Sequence, residues 1–184
     1  PLVGIVDTGL MGHMESEQYL IAVSIATTFL TVIFWSFGFL RMGTVGLISQ
    51  ALGKADYREL VYIVLRNFFI AIFISFLIIL LKPLLLNFLN QIFTTSLQTK
   101  VLIDEYISIR VFSAPAELIA YVLVGFYLGI QKTFVSSLLI IISSTLNIIL
   151  SVYFVRELNL NVTGVALGTL VAFYITIIIF SIYT

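Results

Sequence analysis

Long apolar runs separated by short polar turns set the pattern of this chain. Residues 19–52, 60–81, 101–130, 134–155 and 162–184 are each predominantly apolar, and each reaches the roughly 20 residues that an α-helix needs to cross a bilayer. The turns between them are polar or charged: Lys54 to Glu59, Thr94 to Lys100, Gln131 with Lys132, and Arg156 to Asn161. The opening run, 1–14, is too short to span and reads as the back half of a helix ending near Gly12, with a polar turn from Glu15 to Gln18. Pro83 ends the 60–81 helix, because proline has no N–H to continue the ladder. The apolar run after it, Leu84 to Phe93, is short and reads as interfacial. The runs have helix length and do not alternate, which excludes a membrane β-barrel. The expected fold is an all-α integral membrane protein, a six-helix transmembrane bundle of five full spans and one truncated first helix.

Polar positions inside the runs refine this picture. The 19–52 helix has no hard stop before Gly53, and Gly38, Gly43 and Gly46 thin its surface for close helix approach. Ser24, Thr27, Thr28 and Thr31 in the same helix can satisfy their hydroxyls by bonding back to its own carbonyls. Pro115 should kink the 101–130 helix. In that helix Arg110 and Glu117, seven apart, share a face but are expected not to touch. Arg110 is expected to snorkel from near the helix start, while Glu117 lies deeper and is either half of a structural ion pair or functional. Ser143, Asn147 and Ser151 fall four apart on one face of the 134–155 helix. That stripe should face the bundle interior, either as inter-helix hydrogen bonding or as the lining of a cavity. Gly164 and Gly168 form a G-x-x-x-G pair, which reads as a packing face.

Composition agrees and narrows the function. The 184 residues are 61% hydrophobic and 10% charged, with a mean hydropathy of +1.18, against about 25% charged residues in a soluble domain. Net charge is zero, from nine basic and nine acidic residues, so there is no nucleic-acid footprint. No cysteine is present, which removes disulfides and thiolate metal sites. The single histidine, His13, has no H-E-x-x-H partner. No Ser/His/Asp set and no phosphate-binding glycine loop appears, so the chain is read neither as an enzyme nor as an ATP-driven pump. Basic residues divide equally between the two sets of loops, and the positive-inside rule does not settle orientation. One acid, Asp7, sits within the apolar opening run. A charged Asp at a bilayer centre costs roughly 2.5–3.5 kcal/mol on insertion scales. Asp7 is therefore either interfacial or a proton- or cation-handling group in a protein-lined cavity.

Several stretches are similar to one known family. PLVGIVDTGLMGH at 1–13, FGFLRMGTVGLISQALG at 37–53, IRVFSAPAEL at 109–118 with GFYLGIQ at 125–131, and NIILSVYFV at 147–155 followed by VTGVALGT at 162–169 resemble the multidrug and toxic compound extrusion (MATE) exporters, in their DinF-like branch. The motifs stand in the family's order and cover nearly the whole chain. The resemblance implies one lobe, the first, of a twelve-helix transporter, with the second lobe missing from this chain. It implies a secondary-active antiporter in the bacterial inner (plasma) membrane that exports small organic, often cationic, substrates in exchange for protons or sodium ions, with no other cofactor. It also implies cytoplasmic termini, which would place the 54–59 and 131–133 turns inside. The family's first-lobe cation site maps onto Asp7, Asn147 and Thr169, a possible sodium set. Its second carboxylate falls on Ser151, a departure that leaves one formal charge where the pattern has two. Two alternatives stand beside this reading: a truncated fragment or half-lobe that transports only with a partner chain, and a lipid-linked precursor flippase of the same superfamily.

Overall fold

The computed structural model describes residues 17–93 and 95–183, and all regular structure among them is helical. Asp7 and His13, and with them the expected first half-helix, lie outside the described residues. The described helices are α1 (Glu17–Ser36), α2 (Phe39–Gly53), α3 (Tyr57–Leu80), α4 (Lys82–Ile92), α5 (Leu97–Arg110), a 3-10 turn (Val111–Ser113), α6 (Ala114–Gly129), α7 (Thr133–Arg156) and α8 (Asn161–Tyr183). They make five spans long and apolar enough to cross a membrane, with α1 and α2 forming one and α5 to α6 another.

Two expected helices are divided. The 19–52 helix breaks at Phe37 and Gly38, where N–H groups reach back three residues instead of four: Phe37 to Phe34 O at 3.0 Å, Gly38 to Trp35 O at 2.9 Å and Leu40 to Phe37 O at 3.0 Å. The 101–130 helix begins earlier than its apolar run, at Leu97, because Ser96 caps it by accepting from the Thr99 N–H at 3.2 Å. It is interrupted at Val111–Ser113, just ahead of Pro115. The proline ring would clash with the carbonyl four residues earlier, that of Val111, so the strain falls on the preceding turn. Pro83 acts similarly: α3 stops at Leu80 and the proline lies in the first turn of α4, where its missing N–H costs nothing.

Three apolar clusters hold the bundle. Ala22, Ala26 and Leu30 of α1 pack with Tyr106 and Ile107 of α5 and Val165 and Ala166 of α8. Ala116, Leu123 and Tyr127 of α6 pack with Leu139 of α7 and Phe180 of α8. Ile48 and Ala51 of α2 meet Leu60 and Ile63 of α3. The broken span α5–α6 is the centre: 67% of its most apolar stretch is buried, against 28% for the spans of α3 and α7.

Small residues set the closest approaches, but not all those expected. Gly43 and Gly46 meet nothing within 4 Å among the described residues, so they do not bring helices together there. The close contact against α2 comes from the other side. A Cβ on Gly125 would lie 2.7 Å from Thr44 Cβ and 2.8 Å from the Arg41 carbonyl, and one on Gly129 would lie 2.6 Å from Ile48 Cβ. On α8 the G-x-x-x-G face does pack: a Cβ on Gly168 would lie 2.6 Å from the Ser151 backbone nitrogen.

Candidate functional site

Helices α7 and α8 pack along their length, and their contact buries the polar stripe. Ser143, Asn147 and Ser151 all point inward; Ser143 is 5% exposed, Asn147 and Ser151 are 0% exposed, and so is Thr169 on α8. Gly168 permits this, since its missing side chain leaves room for the Ser151 backbone. Asn147 Nδ2 donates to Thr169 Oγ1 at 2.7 Å and approaches Ser151 Oγ at 3.5 Å. The Thr169 hydroxyl also donates to Val165 O at 3.1 Å. Two oxygens in the stripe are buried without a hydrogen-bond partner among the described residues, Asn147 Oδ1 and Ser143 Oγ. Buried polar atoms are nearly always paired, because an orphan forfeits its hydration for nothing. The arrangement is thus a cluster of neutral oxygens with spare acceptor capacity. Three of the four residues expected to form a cation site are adjacent, while Asp7 lies outside the described residues.

A second polar centre sits at the break between α5 and α6. Arg110 and Glu117 form a buried ion pair, Nη2 to Oε1, and Arg110 Nη1 also bonds Ser113 Oγ. This corrects the expectation that the two are too far apart to touch and that Arg110 snorkels. The 3-10 turn Val111–Ser113 lies between them, so straight α-helical spacing does not describe the separation of the two residues. Helical side chains lean toward the N-terminus, so Glu117 leans toward Arg110. Arg110 also lies at the middle of a 33-residue span rather than near its start, and only 7% of it is exposed. Its guanidinium carbon stands 5.6 Å from the Phe34 ring centroid and 5.7 Å from that of Phe173, so it joins α1 and α8 to the central span. A cation over two rings in a dry setting gains roughly 0.5–2 kcal/mol from each.

A partly open cavity of about 280 Å³ borders the ion pair and the Ser143 end of the polar stripe. The Arg110–Glu117 pair lines it on the central span, Ser143 and Ser144 on α7, Thr27 and Thr31 on α1, and Phe173 on α8. Thr27 does not merely bond back along its own helix; its hydroxyl donates to Tyr106 Oη at 3.2 Å. Trp35, 76% exposed, and Arg41 also line the cavity. The polar stripe therefore does both things expected of it as alternatives. Asn147 makes an inter-helix hydrogen bond, and Ser143 lines a cavity. The ion pair's role in the lining was not readable from spacing alone, though a lone Glu at depth in an apolar span was the signal for it.

Comparison with known proteins agrees with this architecture. The MatE family pattern matches residues 1–153. The chain is 35% identical over 179 residues to the DNA damage-inducible protein F of Escherichia coli (strain K12), covering 97% of this chain and 39% of that protein. It is 24% identical over 182 residues to the multidrug export protein MepA of Staphylococcus aureus (strain bovine RF122 / ET3-1), covering 99% of this chain and 40% of that protein. The chain thus spans about two fifths of the length of the curated relatives it matches. Among solved structures, an inward-facing multidrug resistance MATE family transporter of the MOP superfamily superposes with a TM-score of 0.87 at 20% identity, over 99% of this chain and 40% of that one. An outward-facing conformation of a transporter of the same description superposes at 0.82, with 22% identity, over 97% of this chain and 39% of that one. These likenesses show the fold, one lobe of that architecture. With a family match over most of its length, the chain is an integral membrane protein and belongs to the MatE family, in its DinF-like branch.

Proposed function

We propose that this chain is the first lobe of a secondary-active antiporter that exports small organic, often cationic, compounds in exchange for protons or sodium ions across a bacterial inner membrane. Asp7, Asn147, Ser151 and Thr169 form the coupling site, and the second lobe completes the transporter. The observation that carries this reading is the Asn147–Thr169 hydrogen bond of 2.7 Å, with Asn147 Oδ1 buried and unpartnered beside Ser151. That cluster is what a carboxylate or a cation needs around it: fixed donors and oxygens, dry, one turn from a cavity. Asp7 supplies the charge. Protonation or cation binding neutralises that charge. The change alters the shape of the lobe cavity and so the hold on substrate.

Ser151 weakens this site relative to a two-carboxylate one. Hard-cation affinity falls with the number of charged oxygens offered. The test is proton- or sodium-driven efflux by the full-length parent protein in proteoliposomes. Asp7→Asn should abolish the dependence of efflux on the ion gradient, and Ser151→Asp should lower the cation concentration giving half-maximal efflux. Undiminished gradient-driven efflux by Asp7→Asn would overturn the proposal.

A further inference from the structure

We propose that Ser143 is a further ligand of the coupling cation and the point at which that ion passes from the lobe cavity into the buried site. The inference rests on the coupling-site reading above and extends it to a residue one helical turn nearer the cavity. Its starting observation is a contrast among buried hydroxyls. Thr44 donates to Leu40 O at 2.6 Å, Ser75 to Ala71 O at 2.6 Å, Thr176 to Ala172 O at 2.7 Å, and Thr169 to Val165 O at 3.1 Å. Each uses the carbonyl one turn back, the usual way a hydroxyl is satisfied inside a membrane helix. Ser143 has the Leu139 carbonyl in the same relation, yet its Oγ is buried with no partner among the described residues. The next buried side-chain oxygen along the same face, Asn147 Oδ1, has none either.

Two orphan oxygens one turn apart on one helix face are both acceptors, and both are neutral. A side-chain amide or hydroxyl oxygen does not take up a proton at ordinary pH. Such oxygens do suit a monovalent metal cation, which replaces its hydration shell with several oxygen ligands. A monovalent cation at the coupling site has a use for both oxygens. Ser143 also lines the cavity, while Asn147 is fully buried behind it. An ion leaving the cavity therefore meets Ser143 first and Asn147 next. The geometry favours sodium over a bare proton as the ion that these two residues handle.

The experiment measures efflux from proteoliposomes by the full-length parent protein as sodium is varied at fixed pH, with substrate half-saturation followed in parallel. Ser143→Ala should raise the half-maximal sodium concentration about tenfold, the size of one lost hydrogen bond to a charged group. It should leave substrate half-saturation unchanged, and Ser143→Thr, which keeps the hydroxyl, should restore the sodium response. An unchanged sodium requirement in Ser143→Ala overturns the inference, as does efflux by the unaltered protein that needs protons and ignores sodium. Asn147→Ala separates this from the underlying reading. If Asn147→Ala loses the ion dependence and Ser143→Ala does not, only the role of Ser143 fails. If neither variant changes it, the coupling site itself is misplaced. Thermal unfolding of Ser143→Gly, which removes the hydroxyl without adding bulk, guards against a folding defect: a stable Ser143→Gly with the normal sodium requirement also counts against the inference.

Discussion

At the scale of single residues, the Arg110–Glu117 pair is the feature with the largest energetic stake. Both side chains are buried in the middle of the central span. Removing one partner of a buried pair leaves the other charge uncompensated and costs roughly 3–5 kcal/mol, while replacing both with apolar groups of similar size is often close to neutral. Thermal unfolding of the detergent-solubilised full-length protein should therefore show large losses for Arg110→Met and for Glu117→Leu alone. The double variant should be more stable than either single one. A double variant whose loss equals the sum of the two would mean that the pair is not coupled. The two residues were visible in the sequence as charges at depth in an apolar run. Their contact was not visible, because it depends on where the helix starts and on how it breaks. Ser96 moves the start four residues ahead of the apolar run, and Pro115 opens the turn before it; both signals are local, but neither gives the side-chain direction. The stripe at Ser143, Asn147 and Ser151 was legible for the opposite reason. A period of four on a straight helix fixes the face without further information.

At the scale of elements, helix pairs in this bundle are held where backbones come close. Lipid tails are as apolar as leucine, so burial gives little drive for helices to associate, and close packing of small residues matters more. Two such seams exist: α6 on α2 through Gly125 and Gly129, and α8 on α7 through Gly168. Gly125→Ala should force Thr44 and the Arg41 carbonyl away and lower stability by about 1–3 kcal/mol, the usual cost of overpacking. Gly168→Ala should do the same against the Ser151 backbone and also weaken ion dependence, because it shifts Ser151 and Asn147 relative to Thr169. Gly43→Ala, placed in open space, is the control and should not destabilise. Equal unfolding temperatures for Gly43→Ala and Gly125→Ala would refute the seam. Glycine spacing alone pointed to the wrong helix face here. Gly43 and Gly46 look like a packing surface, yet the helix that meets α2 brings its own glycines and rests on Thr44 and Ile48. A glycine in sequence shows where approach is allowed; the neighbour decides where it happens.

At the scale of the whole molecule, the described lobe leaves much apolar surface uncovered. Phe69, Phe73 and Phe76 on α3 are each at least 60% exposed, and Trp35, which lines the cavity, is exposed as well. On a span in a bilayer the first three suit lipid. The open cavity is a different matter. Its volume of about 280 Å³ falls just below the range of roughly 300–1,000 Å³ that encloses a drug-sized molecule. Among the described residues, one lobe thus offers a polar wall and the proposed coupling residues Asn147, Ser151 and Thr169, but not an enclosed substrate chamber. Alternating access works by rocking one repeat against another around a shared site. The 184-residue chain reconstituted alone should therefore show no ion-driven efflux, while the full-length parent protein under the same conditions does. Blue-native gel mobility of the same samples makes the comparison decisive. Efflux by a species running as a single 184-residue chain would show that the lobe suffices, and the two-lobe mechanism would be wrong. Efflux only from a species of twice that size would mean that a second copy stands in for the second lobe, with the cavity closed by the same surface from its partner. No efflux from either species, with the chain folded and inserted, while the full-length protein transports, is the outcome that the two-lobe mechanism expects.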